Sequence, residues 1–276
     1  MLSRFVIGAW GLLAIVLCAP AAAQELPTRE MNDLNWMEFR QLVPARVKTV
    51  LVTVGTVEAH GVINNGADNT APIAIARAIA DDTNALIAPH IPYGVTGSMA
   101  PYPGAIHIPE DAFRGYFRAV MEGMVKNGFR NIVVLNGHGG PQTAILQQVA
   151  SDIAMEHRVN TLVVNWWSVA NDIALEVFKT PGGHAAINET AFIQAINPKL
   201  VRKELYTGKD MATANPAAGT WSATPYPSAM TLYKEGEGWP TDFDQAKADE
   251  YYRKTIAKVK ALVLDTLRKW EMVGFN

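Results

Sequence analysis

Cysteine is all but missing from this sequence: Cys18 is the only one in 276 residues. One thiol has no partner within the chain, so a disulfide framework is excluded. A basic excess is missing too. Lys and Arg number 24 against 26 Asp and Glu, a formal net charge of −2, so no positive field draws in a phosphate backbone or an anionic membrane, and nucleic acid is not an expected partner. Nor does any segment supply the roughly 20 consecutive apolar residues that cross a bilayer. The run Phe5 to Leu17 falls short of it.

That run follows Arg4 and leads into Pro20-Ala21-Ala22-Ala23-Gln24, the charged, apolar and small-residue order of a cleavable export signal. The expectation is a signal peptide over residues 1–23, a mature chain from Gln24, a periplasmic location and no stable membrane anchor. Leu17 rather than a small residue precedes Cys18, which argues against a lipid-modified cysteine. Cleavage removes the only thiol, so cysteine chemistry is excluded from the mature protein. It also removes Arg4 and no acidic residue, taking the net charge from −2 to −3. With 49% hydrophobic and 18% charged residues, residues 24–276 suit a single globular domain.

Apolar β-branched runs alternate with helical periodicity along the mature chain. Val47 to Val54 reads as a strand and Ala71 to Asp81 as a helix. Ala85 to Ile91 reads as a strand, and Asp111 to Lys126 as an amphipathic helix ending near Asn127-Gly128. Asn131 to Leu135 is the next strand, followed by a Gly-rich loop, a helix from Pro141 to about His157, and a strand over Thr161 to Asn165. Residues 215–244 read as irregular, and a final helix runs from Gln245 to about Lys269. This alternation predicts an α/β fold with a mostly parallel sheet covered by helices on both faces. In such folds ligands bind beyond the carboxyl ends of the strands.

Three loops there hold the notable polar residues. After the first strand stands Gly55-Thr56-Val57-Glu58-Ala59-His60-Gly61, with Asp68 a little further on. In extended chain Glu58 and His60 point to the same side, and the Gly- and Asn-rich loop lets Asp68 fold back toward them. The second loop is Asn136-Gly137-His138-Gly139-Gly140. Gly-rich loops of this kind often cradle an anion, but neither the dinucleotide spacing nor a phosphate-binding Lys is present, and a His flanked by glycines suits a metal ligand. In the third, His184 lies in Gly182-Gly183-His184-Ala185 and Glu189 five residues on, in the first turn of a helix. Taken alone, Glu189 reads as an acid stabilised by the helix dipole. His90, His107 and His157 have no comparable neighbours and read as structural or surface residues. Glu58, His60, Asp68, His138 and Glu189 together form a sulfur-free ligand set that suits Zn, Mn or Fe, with a carboxylate free to bridge two ions.

At these positions the sequence resembles the creatininase family. The family's Gly-Ser-x-Glu-x-His-Gly with a following Asp is matched by Gly55 to Gly61 and Asp68, with Thr56 in place of Ser. Its Tyr-Gly and aromatic-Pro-Gly are matched by Tyr93-Gly94 and Tyr102-Pro103-Gly104. Its Asn-Gly-His-Gly-Gly is matched by Asn136 to Gly140, and its His-Ala with Glu-Thr by His184-Ala185 and Glu189-Thr190. The Glu58-to-Asp68 spacing is one residue shorter than usual, Ser98-Met99 replaces an acid-His pair, and Gly140 stands where creatininase proper carries a Glu ligand.

The resemblance implies a layered α/β/α fold, a homo-oligomer, and a metal-dependent hydrolase of a C–N bond in a small cyclic amide or formamide. It also implies a divalent metal pair. On that basis Glu58, Asp68 and His138 are expected to hold one ion, and His60, Asp68 and Glu189 a second, with Asp68 as the bridge. His184 is expected to move protons as a catalytic residue, with Glu189 beside it. Trp166, Trp167 and Tyr102 are expected at the wall of the substrate pocket, although large aromatics equally often pack a core. The rival readings are a metal-dependent lactone or ester hydrolase and an inactive solute-binding protein on the same fold.

Overall fold

The computed structural model describes residues 26–205, 224 and 244–274. The expected signal peptide, Cys18 and nearly all of the stretch 215–244 lie outside the described residues. Among the described residues the first α-helix is α1 (Trp36–Leu42), closed at its start by Asn35, which accepts from the Met37 and Glu38 N–H groups while Glu38 accepts from the Asn35 N–H. That reciprocal cap supplies partners for backbone donors a helix start leaves open. Then come β1 (Thr49–Val54), α2 (Ala67–Ile79), β2 (Ala85–Ile87), α3 (Glu110–Lys126), β3 (Asn131–Asn136), α4 (Gly140–His157) and β4 (Asn160–Asn165). Helices α5 (Trp166–Val169), α6 (Asn171–Phe178), α7 (Ile187–Ile196) and α8 (Gln245–Met272) follow.

The strands form one sheet in the order β2-β1-β3-β4, and every pair among them is parallel. Because side chains alternate along a strand, Leu51, Val133 and Leu135 point to one face and Val50, Val52, Val54, Ile132 and Val134 to the other. The first face is covered by α2, α7 and α8 through Ile75, Phe192 and Tyr251. The second is covered by α3 and α4 through Phe113, Phe117 and Ile153. The result is the expected three-layer α/β/α arrangement. Register pairs Val54 with Asn136 and Asn136 with Asn165, so the carboxyl ends of β1, β3 and β4 open side by side onto one edge.

Two boundaries differ from the sequence expectation in ways that matter for that edge. The expected strand over 85–91 stops at Ile87 because Pro89 cannot donate to a ladder. The chain rejoins the sheet at Ile91, whose N–H bonds the Thr53 carbonyl. Helix α2 begins at Ala67, four residues before the expected Ala71, which places Asp68 in its first turn. Pro72 sits four residues later inside the same helix and has no N–H to give, so the Asp68 carbonyl is left without its intrahelical donor.

Candidate metal centre

Six side chains converge at the carboxyl edge of the sheet. Glu58 and His60 lie in the loop after β1, shaped by bonds from Glu58 N–H to Asn65 O and from Ile63 N–H to His60 O. Asp68 enters from the first turn of α2. His138 lies between β3 and α4, in a turn held by Asn136, whose side chain accepts from His138 N–H at 3.1 Å and donates to His138 O at 2.7 Å. His184 and Glu189 come from the approach to α7. Glu58 is 0% and His138 8% exposed, so the centre is shielded from water on most sides. Three groups of atoms lie within 4.8 Å of one another: Glu58, Asp68 and His138; His60, Asp68 and Glu189; and Glu58, His60 and His184.

Each histidine has one ring nitrogen tied to a backbone carbonyl. His60 Nδ1 faces Glu58 O at 3.0 Å, His138 Nε2 faces Val95 O at 3.0 Å, and His184 Nε2 faces Ala59 O at 2.8 Å. A carbonyl only accepts, so those nitrogens carry the hydrogens and the rings are fixed in orientation. The opposite nitrogens all point at carboxylates. His60 Nε2 is 3.1 Å from Asp68 Oδ1 and 3.8 Å from Glu189 Oε2, His138 Nδ1 is 2.9 Å from Asp68 Oδ2 and 3.1 Å from Glu58 Oε1, and His184 Nδ1 is 3.4 Å from Glu58 Oε1.

With neutral rings, this geometry sets lone pairs against lone pairs. A cation between them, or a proton on the ring, resolves the conflict. In the metal-free chain protons do so: burial works to lower the His60 pKa, but Asp68, with Glu189 and Glu58, outweighs it and raises it to about 10. His138 is raised well above its ordinary value by Glu58 and Asp68 against the same burial cost. Those histidines in turn hold Asp68 far below the usual carboxylate range despite its burial. Burial raises Glu189 to about 7 and also raises Glu58. His184 goes the other way, to about 3, through burial and then the neighbouring His60 charge.

Protons do not satisfy everything. Both carboxylate oxygens of Glu58 are buried and lack an aligned hydrogen-bond donor, because the one Nδ1 hydrogen of His138 is directed at Asp68. A buried carboxylate left this way costs stability unless a cation meets it. The donor set, all oxygen and nitrogen, therefore fits one or two divalent ions such as Zn or Mn.

The glycines around the centre serve the frame. A Cβ on Gly55 would lie 2.4 Å from the Asp68 carbonyl oxygen, and one on Gly137 only 1.8 Å from it. The two strand-end loops thus close onto the peptide that Pro72 leaves without a donor. Glu189 has a framing part as well: its Oε2 accepts the Ala185 N–H at 2.6 Å, and Ala185 adopts a left-handed φ of 55° that a non-glycine residue reaches only under constraint. This bond ties the loop that carries His184 to the first turn of α7.

A cavity of about 440 Å³ opens onto the centre, bordered by Glu58, Asp68, His138, His184 and Glu189, with Met99 and Trp167 among its walls. Trp167 stands where expected. Trp166 does not: it is 3% exposed and stacks on Phe192 at 4.4 Å in the core. Successive helical residues point about 100° apart, so the two indoles of α5 cannot share one wall, and the expectation for Trp166 is corrected. Tyr102 packs against Ala59 and Met99, one layer behind the cavity. His90 bonds Thr53 and Asn69, and His107 bonds Thr96, consistent with structural roles. Val95, Gln142 and Asn188 also frame the site and stand outside the residues that the motifs point to. Gln142 is fully buried and accepts the Val95 N–H, so it holds the loop whose Val95 carbonyl fixes His138. Its only sequence signal is a polar residue on an otherwise apolar helix face.

The chain matches the family model described as Creatininase: Creatinine amidohydrolase over residues 32–263. A creatinine amidohydrolase of Pseudomonas putida is 23% identical over 206 residues, 67% of this chain and 78% of that protein. A 3-dehydro-scyllo-inosose hydrolase of Thermotoga maritima is 27% identical over 168 residues, 56% of this chain and 52% of that protein. Among solved structures, a mutant creatininase of Zn–Zn type superposes with a TM-score of 0.74 at 18% identity, covering 87% of this chain and 98% of the other. A structure named Creatininase Mn gives 0.73 at 17% identity, covering 87% and 98%. The two superpositions establish the fold.

Proposed function

The chain belongs to the creatininase family, and on that premise we propose that it is an exported hydrolase that opens a C–N bond in a small cyclic amide or formamide. Membership makes it a metal-dependent hydrolase of C–N bonds other than ordinary peptide bonds. The observation that carries the finer reading is the set of three backbone-anchored histidines turned toward Glu58, Asp68 and Glu189. In this proposal Glu58, Asp68 and His138 hold one divalent ion, while His60, Asp68 and Glu189 hold a second. Gly140 offers no carboxylate, and Glu189 is the third acid within reach.

Bound there, divalent ions lower the pKa of water toward about 7 and polarise a carbonyl. The chain's own residues do the rest. Asp68, buried in the first turn of α2, keeps its charge under the pull of His60 and His138 and serves both ion positions. His184, neutral near pH 7 by burial, presents Nδ1 toward the centre while Ala59 O fixes Nε2. It takes a proton at Nδ1 during attack and returns it to the departing nitrogen. Trp167 and Met99 keep bulk water from one side of the cavity.

The test is turnover of cyclic amides, formamides and lactones by the metal-loaded protein, with and without chelator. Chelator-sensitive cleavage of amides or formamides is the expected result. Lactone cleavage alone would move the reading to a C–O bond. No turnover of any class would favour a solute-binding protein.

A further inference from the structure

A second, open compartment of about 250 Å³ adjoins the metal-centre cavity, and Trp167, Gly183 and Asn188 border both. Its other walls are Ser168, Asn171, Pro181 and Gly182. No charged residue is among them, in contrast to the acid-rich centre next door. Four of its walls carry neutral hydrogen-bonding side chains. The hydroxyl of Ser168, the amide of Asn171 and the indole N–H of Trp167 have no hydrogen-bond partner among the described residues, and none is a buried orphan.

Asn188 is the built part. It is 3% exposed, and its Oδ1 accepts the Gly183 N–H at 2.9 Å. A Cβ on Gly182 would lie 2.0 Å from that oxygen, so the loop and the side chain fit only with glycine there. The Asn188 amide nitrogen has no partner among the described residues, yet it is not sealed from solvent. Asn188 itself borders both compartments. A buried amide held by one end and open at the other is a group waiting for an acceptor.

We propose that this compartment is a substrate subsite for an uncharged, hydroxyl- or amide-bearing group attached to the scissile amide, seated against the Trp167 ring. The substrate then has two parts: a compact carbonyl end at the metal centre and a neutral polar appendage beside Asn188. An aromatic face with surrounding Asn and Ser side chains suits such groups, since the ring covers C–H surface while the side chains meet the polar atoms. An anionic appendage finds no Lys or Arg among the described walls of either compartment. A purely apolar one leaves the open amides of Asn188 and Asn171 unmet. This inference rests on the hydrolase reading for its carbonyl end only.

The experiment measures binding of four probes to the zinc-loaded full chain by calorimetric titration: N-(2,3-dihydroxypropyl)formamide, N-formylglycine, N-(2-aminoethyl)formamide and N-butylformamide. All share one formamide head and differ in the charge and polarity of a short tail of two to four carbons. The dihydroxypropyl probe should bind about tenfold more tightly than the other three. Asn171→Trp, which fills the compartment from its exposed side, should bring the four within about twofold of one another at unchanged metal content. Ser168→Ala with Asn171→Ala should give a smaller loss confined to the dihydroxypropyl probe. Equal or undetectable binding of all four, or a preference that survives Asn171→Trp, would overturn the subsite. Binding preference without turnover of any probe would leave the subsite standing and count against the hydrolase reading instead.

Discussion

At the scale of single residues, the centre is a contest between protons and cations for the same positions. His60 and His138 hold their extra protons because Asp68, Glu58 and Glu189 surround them. A divalent ion entering these positions must displace those protons, since only an unprotonated nitrogen binds metal. The sign is fixed by the direction of the shifts. Both histidine pKa values are raised, so the metal-free centre is protonated at neutral pH and metal affinity must rise with pH until those groups titrate. Metal titration in weak buffer at pH 7 should release at least two protons per chain, those of His60 and His138 with a further share from Glu189, with affinity rising up to about tenfold per pH unit for each proton displaced. Metal affinity independent of pH between 6 and 8 would contradict this picture. The types and order of these residues were legible in the sequence. Their backbone anchors were not, because Val95 O and Ala59 O carry no residue signature.

Among elements, strand ends and helix starts do the positioning. The alternation of β-branched runs with helical periodicity identified the strands and the helices α2 to α4. Fully buried strands such as β1 and β3 read as continuous apolar runs. Two features were hidden from that pattern. The start of α2 at Ala67 depends on the turn that ends at Gly66, and the indoles of α5 diverge because that short helix begins directly at the end of β4. The glycines of both loops are plain in the sequence, but their partner is not: Gly55 in the first loop and Gly137 in the second close on the Asp68 peptide. Gly137→Ala would place its Cβ inside the Asp68 carbonyl contact. It should cost at least about 1–3 kcal/mol of stability by overpacking and displace Asp68, with loss of metal. Retention of both the melting temperature and the metal by Gly137→Ala would show that the contact is loose.

For the whole molecule, the sheet brings together residues from three separate segments. Glu58 to Asp68, His138 and the His184 to Glu189 turn meet because β1 and β3 are adjacent and α7 packs over α2. Order along the chain suffices to recognise the motifs, while the meeting point follows from the parallel topology. The proposed export belongs to this scale too, and it rests on Arg4, the run Phe5 to Leu17 and the small residues before Gln24. Protein recovered from a periplasmic fraction should begin at Gln24 on N-terminal sequencing. An intact Met1 or a cytoplasmic location would refute the proposed signal.

The proposed two-ion centre draws on four buried side chains, Glu58, His60, Asp68 and His138, and on the half-buried Glu189, with Asp68 shared and the half-buried His184 outside the ligand set. Metal content per chain by elemental mass spectrometry, on protein lacking residues 1–23, tests it most directly, with Asp68→Ala and His184→Ala measured beside the parent. About two ions per chain are expected in the parent and in His184→Ala, and fewer than one in Asp68→Ala. Metal lost from His184→Ala would make His184 a ligand, as its place beside Glu58 and His60 permits. No metal in the reconstituted parent would contradict the account itself.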